Sequence, residues 1–519
     1  MLVHSESNSL LLKVKVPQRV LDLIPKARLF DYDGHNVAVR HGLDEVKVLR
    51  NIGINAPPPI LYHYHWPGPP NKRPMLHQRQ TAAFFTLYNK CFCFNQPGTA
   101  KTASSLWAAD YLMNIGLVNK VLIVAPNTSL DVTWMEEIFA FLMHRRAAML
   151  VGSSERRHKL LATDSHFYVI NHHGLETIAD ELKRRKDIDL VIGDECDVYR
   201  TADTNLYKVI EEVTKKRRTW LMSGTPCPNA PTDAWALARL VSPSRVPQYF
   251  GQWRRQTMYQ VSTYKWMPKP DSYEMAFNAM QPAIRYMKKD CIDLPPMITM
   301  PRSADITPQQ KKALSQMKNQ AVMEARAGVV ISAINAADKI NKMRQVLCGV
   351  VKDTATGLYE EVPHQLRVDV LLHEIAKAPT KVLVIVPFKG IIAALHRDIV
   401  THYSCEIING DVSRTERTAI VKRFKNTPDP HVLLCHPKVM SHSLNLAEAA
   451  TIIFYAPIYS NGEFGQVIER IARPGQEQDM TIVRIGAHPL EWEIYRILDT
   501  RSMGQESILS LYHHQVLGE

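Results

Sequence analysis

The stretch Cys91-Phe-Cys-Phe94-Asn-Gln-Pro-Gly98-Thr99-Ala100-Lys101-Thr102 decides the reading of this chain. Its first four residues form an apolar run bounded by turn formers, the pattern of a buried strand, and Ala103 to Leu112 reads as a helix. Strand, tight loop and helix in that order bring backbone N–H groups and a helix dipole to one point, where they favour an anion. A lysine and a hydroxyl at the helix start complete the chemistry: Lys101 would contact the β- and γ-phosphates of a nucleotide, and Thr102 would ligate Mg2+. Gly98 and Thr99 belong to the same loop. Ala100 stands where a second glycine is usual, and its Cβ threatens either the backbone angle or the approach of phosphate. An ordinary strand-to-helix turn is the alternative for this stretch alone.

Further along, Asp189-Leu-Val-Ile-Gly-Asp194-Glu195-Cys196-Asp197 is an apolar strand that ends in acids. Such an ending suits metal-assisted hydrolysis: Asp194 would hold Mg2+, and Glu195 would orient or deprotonate the attacking water. A solvated acidic turn is the alternative, and it loses ground once a phosphate loop lies upstream. A third stretch, Gln466-Val-Ile-Glu-Arg470-Ile-Ala-Arg473-Pro-Gly-Gln476, places Gln466, Arg470 and Arg473 at spacings that share one helical face. Arginine stays charged and grips phosphate oxygens with a planar fork, so such a pair suits a γ-phosphate. Pro474 and Gly475 are expected to end that helix. On its own, the segment also reads as an exposed basic helix end.

With these residues in place, the chain resembles the Swi/Snf-type ATPases of helicase superfamily two from about Met75 to Arg484. Leu76-His77-Gln78 resembles the motif whose glutamine reads adenine, which implies that role for Gln78. Val124-Ala-Pro-Asn-Thr128-Ser-Leu130 with Trp134, and Val169-Ile-Asn171, resemble segments that touch a nucleic-acid backbone, so the resemblance implies such contacts for Thr128 and Asn171. Leu221-Met-Ser223-Gly224-Thr225-Pro226 with Asn229 is similar to the motif that couples hydrolysis to domain movement through Ser223 and Thr225. Lys288 to Pro296 and Ile340 to Cys348 resemble the linker and helical insertions of this family. Ile408-Asn-Gly410, Arg414 to Arg417 and Ser443-Leu444-Asn445-Leu446 resemble its later motifs, with Asn445 in the coupling and nucleic-acid set. By the same resemblance Gln466, Arg470 and Arg473 form the last motif, the two arginines acting as fingers onto ATP bound by the other lobe. Ser441-His442-Ser443 departs from the glycine usual there, as Ala100 does upstream. More loosely, Val37 to His41, Val48 to Pro57 and Tyr64 to Pro67 resemble compact HARP-type annealing helicases and their viral or bacterial relatives. A small packed cap and a separate DNA-binding module remain equal readings of that amino-terminal part.

The bulk numbers fit this picture. A chain of 519 residues with 45% hydrophobic and 22% charged residues supports several lobes with full cores and does not indicate disorder. The longest apolar runs, such as Val121 to Ala125 and Val382 to Val386, are strand-sized. Glu6 and polar serines interrupt any signal-like core near the start, so a cytoplasmic, DNA-associated protein is expected. Eight cysteines lie scattered without zinc-type pairing and read as reduced, mostly buried thiols. A net charge of +12 has the right sign for a nucleic-acid partner, although single runs such as Lys183 to Lys186 read as solvated helix ends.

Lys120 to Pro126 and Lys381 to Pro387 repeat one pattern, an apolar strand that stops at proline, and each opens a series of alternating strand and helix signals. The expected fold is therefore α/β: two RecA-like parallel-sheet lobes in tandem, with helical insertions and a small N-terminal domain. Expected boundaries are 1–70 for the N-terminal domain, 71–241 for the ATP-binding lobe, 242–357 for a linker and helical protrusions where strand signals fade, 358–490 for the second lobe, and 491–519 for a helical brace. The phosphate loop lies in the first lobe and the arginines in the second, so ATP with Mg2+ is expected between them. The expected activity is a DNA-dependent ATPase that acts, as a monomer, as a translocase or remodeller of duplex or branched DNA. An RNA-directed remodeller and a nucleic-acid-binding module switched by ATP are the competing expectations.

Overall fold

The computed structural model of the protein describes residues 1–4, 7–70, 72–262, 265–291, 293–326, 333–352, 359–440, 446–473 and 476–500. The described chain falls into two compact units, one up to Cys291 and one from Ile292 onward.

The first unit opens with a four-stranded antiparallel sheet of β1 (Leu2–His4), β2 (Ser9–Leu12), β3 (Arg28–Tyr32) and β4 (His35–Arg40), in the order β1-β2-β4-β3. Leu10, Leu12, Val37 and Val39 bury its inner face against Val20, Val46 and Leu49 of two short helices. The chain then ties onto the larger sheet that follows. Tyr64 donates from its hydroxyl to Asp110 Oδ2 at 2.7 Å, and the Trp107 indole donates to the Pro67 carbonyl at 2.8 Å.

That larger sheet contains β5 (Lys90–Cys93), β6 (Lys120–Ala125), β7 (Ala147–Met149), β8 (Phe167–Asn171), β9 (Ile188–Asp194), β10 (Arg218–Met222) and, after an exposed hairpin of β11 (Met258–Ser262) and β12 (Lys265–Pro268), β13 (Ala283–Ile284). Its order is β13-β5-β10-β9-β6-β8-β7, and every pairing is parallel. Helices cover both faces, which is why its strands are near-continuous apolar runs. Phe92, Leu122, Val124 and Val191 pack on one side. Cys91, Cys93, Val121, Ile123 and Trp220 pack on the other, where Trp220 stacks on Phe85 at 4.7 Å. The free cysteines of the chain are buried, apart from the half-buried Cys291 and Cys405.

The second unit repeats the plan. Strands β14 (Met297–Ser303), β17 (Lys381–Ile385), β18 (Cys405–Ile408), β19 (Val432–Cys435), β20 (Ala449–Phe454) and β21 (Met480–Gly486) form a parallel sheet ordered β14-β21-β20-β17-β19-β18, while β15 (Val350–Lys352) pairs with β16 (Tyr359–Glu361) apart from it. Two parallel-sheet lobes with many helices were the expected fold class, and this is what forms.

Two local expectations need correction. The stretch 242–357 was expected to lose its strands, yet β13 joins the first sheet and β14 the second. β14 is an edge strand, largely solvent-facing and carrying Pro301, so it lacks the apolar alternation that marks a strand in sequence. The helix over residues 489–500 puts Ile494, Tyr495 and Leu498 into the core of the second unit. Its Glu491 forms a fully buried ion pair with Arg367 at 2.8 Å. Finally, the arginine-bearing helix Asn461–Ile468 ends before both arginines. The backbone there tightens into shorter turns, with Arg470 N–H bonded to Val467 O and Ile471 N–H to Ile468 O, and this buries Ile471 and Ala472 in the core. Pro474 and Gly475, read as the stop signal, lie outside the described residues, as do Ser441 to Asn445 and the tail 501–519.

Candidate nucleotide site

In an open parallel sheet the carboxyl ends of neighbouring strands gather the loops that bind ligand. The order β5-β10-β9-β6-β8 therefore sets side by side the phosphate loop after β5, Ser223 and Thr225 after β10, Asp194 and Glu195 at the end of β9, Thr128 after β6, and Asn171 at the end of β8. Motifs separated in sequence become neighbours because of this crossover order alone.

The phosphate loop has the required backbone. Gly98 has φ +86° and Ala100 has φ +58° and ψ +49°, so Ala100 holds a left-handed conformation that glycine would adopt without strain. Its Cβ does not prevent the angle. Thr99 closes the loop through its hydroxyl on Gln96 O at 2.8 Å. Lys101 and Thr102 open the helix Lys101–Asn114, and the Lys101 ammonium donates to Asn95 O at 2.8 Å across the loop. Gln78, expected near adenine, is buried on the helix Leu76–Leu87 and accepts from Met75 N–H at 2.9 Å. His77 contacts the loop itself through Nε2 and Thr99 O at 3.1 Å.

Asp194 is half-buried at the end of β9. The Trp134 indole N–H donates to its Oδ2 at 3.2 Å, and the Glu195 amide donates to its Oδ1 at 3.1 Å. Burial raises this carboxyl's pKa, and the charge of Lys101 opposes that shift. Glu195 holds a left-handed backbone at φ +49°, a strain of the kind found at functional sites. Among the described residues no three His, Cys, Asp or Glu side chains converge on a metal position. A half-buried carboxylate ending β9 and a hydroxyl opening the helix after β5 suit Mg2+, which commonly takes one or two carboxylates and completes its shell with water and substrate phosphates.

Trp134 corrects an expectation. It was grouped with a segment expected to face nucleic acid, yet its ring is fully buried. The segment Leu130–Met135 forms a wide turn in which Trp134 N–H reaches Ser129 O at 3.0 Å, and this widening aims the indole at Asp194. Thr128, just before that turn, has a buried hydroxyl oxygen without a hydrogen-bond partner among the described residues, and Asn171 is half-buried.

Three further residues were not singled out in sequence. Asp197 lies beside Asp233, and burial pushes its carboxyl up to about 6 against the pull of Arg200, with a hydrogen bond from Ser223. Ser223 Oγ also accepts from Thr225 N–H at 3.1 Å, so one serine links the acidic strand end to the loop after β10. That loop packs on the phosphate loop: a Cβ on Gly224 would fall 2.6 Å from Pro97. Glu137 is the second, with an Oε2 atom that is buried and unbonded, and burial together with Asp194 pushes its carboxyl up to about 7. Lys288 is the third. Its amide donates to Gln96 Oε1 at 2.6 Å, and a Cβ on Gly98 would meet its side chain at 3.2 Å. Its only signal in sequence was the family-like block from Lys288 to Pro296.

In the second unit Gln466, Arg470 and Arg473 come together at the helix end. Arg470 Nε donates to Gln466 O at 2.9 Å, and Arg473 Nε donates to Glu469 O at 3.0 Å. Both side chains fold back on carbonyls that the helix terminus leaves unpaired. Burial lowers the Arg473 pKa and Glu469 opposes this, yet a guanidinium starts so high that it stays charged.

A glycine-bearing loop between strand and helix, a lysine across it and a carboxylate at the end of β9 form a site suited to a nucleotide's phosphates. A family model described as the SNF2-related domain matches residues 77–351, and one described as the helicase conserved C-terminal domain matches 366–475. The chain belongs to the SNF2-related family. It is 20% identical over 397 residues to an uncharacterized ATP-dependent helicase of Mycoplasma genitalium, covering 75% of this chain and 37% of that protein. It is 24% identical over 237 residues to a DNA repair and recombination protein RAD54-like of Drosophila yakuba, covering 41% of this chain and 28% of that protein. The chain thus spans well under half the length of these curated relatives. A Sulfolobus solfataricus SWI2/SNF2 ATPase core solved in complex with dsDNA aligns at 18% identity and TM-score 0.40, covering 85% of this chain and 93% of that one.

Proposed function

We propose that this chain is a DNA-dependent ATPase that tracks duplex DNA and remodels duplex or branched structures by branch migration or strand annealing. The observation that carries the reading is the placement of Lys101, Asp194, Glu195 and Ser223 at the carboxyl ends of the adjacent strands β5, β9 and β10, in a chain of the SNF2-related family. Gln78 reads the base, Gly98 to Thr102 hold the phosphates, and Lys101 offsets their charge. Thr102 and Asp194 would hold Mg2+, which when bound supplies further positive charge against the phosphates. Glu195 orients the attacking water, and Arg470 and Arg473 stabilise charge on the transferred phosphoryl group. Thr128, Asn171, Thr225 and Asn445 carry the coupling and the backbone contacts to DNA. RAD54-like and chromatin-remodelling relatives, including a CHD3-type chromatin-remodeling factor of Arabidopsis thaliana, support DNA as the partner. Net charge of +12 supports the same choice.

Phosphate release measured with and without duplex DNA tests the reading. Stimulation in the wild type, absent in Lys101→Ala and Glu195→Gln, is expected. Equal rates in all three proteins would defeat it, and stimulation by RNA in place of DNA would transfer the activity to an RNA substrate.

A further inference from the structure

The hairpin β11–β12 is built unlike a packing element. Between Arg254 and Lys269 the sequence carries Arg254, Arg255, Lys265 and Lys269 and no acidic residue. Tyr259, Val261 and Met267 are 45%, 51% and 41% exposed. Tyr259 pairs with Met267 and Gln260 with Trp266, so Tyr259 and Trp266 lie on opposite faces of the ribbon. The irregularity between Gln260 and Ser262 adds twist, which turns the two faces further apart. Side chains also fix the ring positions. Arg254 lies 4.0 Å from the Trp266 ring centre, and the Tyr259 hydroxyl reaches Met267 Sδ at 3.7 Å. Lys269 N–H closes the base on Thr257 O at 2.9 Å.

A lone two-stranded ribbon is only marginally stable in water, and exposing apolar rings on it adds no stability. An exposed tyrosine ring on one face and a Trp266 ring braced by Arg254 on the other, in a segment with four cations and no acid, match a polyanion with open planar groups. Duplex DNA offers the charge but hides its base faces in the stack, whereas a single strand offers both. We infer that the β11–β12 ribbon binds single-stranded DNA, stacking a base on Tyr259 while Arg255 and Lys265 meet phosphates. This deepens the proposed function and rests on DNA being the partner. At a fork or junction, such a ribbon engages the unpaired arm while the motor holds the duplex.

The test uses the full chain and fluorescence anisotropy with duplex and forked DNA, alongside duplex-stimulated phosphate release. Tyr259→Ala with Lys265→Ala should weaken forked-DNA binding about tenfold, given the usual worth of one stacked base. Duplex binding and duplex-stimulated turnover should stay within about twofold, and Tyr259→Phe with Lys265 intact should bind the fork as wild type does. Equal fork affinity in the double variant overturns the inference alone, provided the wild type shows duplex stimulation. Equal losses on duplex and fork also overturn it, because they would mark a general cationic surface. A wild type that neither binds DNA nor responds to it overturns this inference and the proposed function together.

Discussion

The indole N–H of Trp134 donates to Asp194 Oδ2 at 3.2 Å, and so ties the wide turn after β6 to the carboxylate that ends β9. A loop whose family resemblance concerns nucleic acid thus touches the acid proposed to hold Mg2+. Trp134→Phe keeps a buried aromatic ring but deletes the N–H donor together with the pyrrole half of the indole. An unsatisfied buried acceptor typically costs ~1–3 kcal/mol, so thermal unfolding should fall by several degrees and turnover should drop more than nucleotide affinity. Unchanged stability and turnover would mean that the bond carries nothing.

Glu137 gives a pH dependence with a definite sign. Its carboxyl is raised from 4.5 to about 7, so between these values the folded protein keeps a proton that the unfolded chain releases. Stability from this group is therefore lost as pH rises through that window. At ~1.4 kcal/mol per unit the full effect is on the order of 3–4 kcal/mol. Denaturant unfolding of Glu137→Gln at pH 5 and pH 8 should show a flatter dependence than wild type and a net gain at pH 8. The same slope in both proteins would refute the assignment.

Ala100 occupies a glycine conformation at φ +58°. Relief of a left-handed alanine is worth ~1–2 kcal/mol, against ~0.5–1 kcal/mol of added chain entropy in the unfolded state. Ala100→Gly should therefore leave the melting temperature unchanged or raise it slightly, where an exchange of alanine for glycine inside a helix lowers it. A clear loss of stability would show that the loop does not hold this angle in solution.

The pair Arg367 and Glu491 sits fully buried in the second unit, with Arg367 also bonded to Leu347 O at 3.0 Å and Ile485 O at 3.1 Å. Removing one partner of such a pair strands a charge, so Glu491→Ala should destabilise by ~3–5 kcal/mol. Replacing both residues, as Arg367→Met with Glu491→Leu, should recover most of that loss. A mild Glu491→Ala phenotype in thermal unfolding would contradict the placement of residues 489–500 in this core.

The parts legible in sequence were those fixed by short stretches. Cys91 to Thr102 spells strand, loop and helix locally, and Asp189 to Asp197 spells a buried strand with acids at its end, so the lobes and their phosphate loop were readable. Trp134 and Ser223 were not readable in their actual roles, because their partners Asp194 and Asp197 are set by the crossover order of the sheet and by a wide turn that no residue pattern announces. β14 escaped because an exposed edge strand with Pro301 has no apolar face to alternate. The arginine helix was misjudged at its end for a tertiary reason: burying Ile471 and Ala472, with Leu446 N–H bonded to Arg470 O at 3.0 Å, outweighs continuing the helix to Pro474.

The proposed function gives Arg473 a part in ATP turnover rather than in nucleotide binding. Arg473→Ala, assayed in parallel for binding of a fluorescent ATP analogue and for duplex-stimulated phosphate release, tests this most directly. Nucleotide affinity within about threefold of wild type together with a turnover loss of about 10³ is the predicted result. Near wild-type turnover, or a loss explained wholly by weaker nucleotide binding, would contradict it.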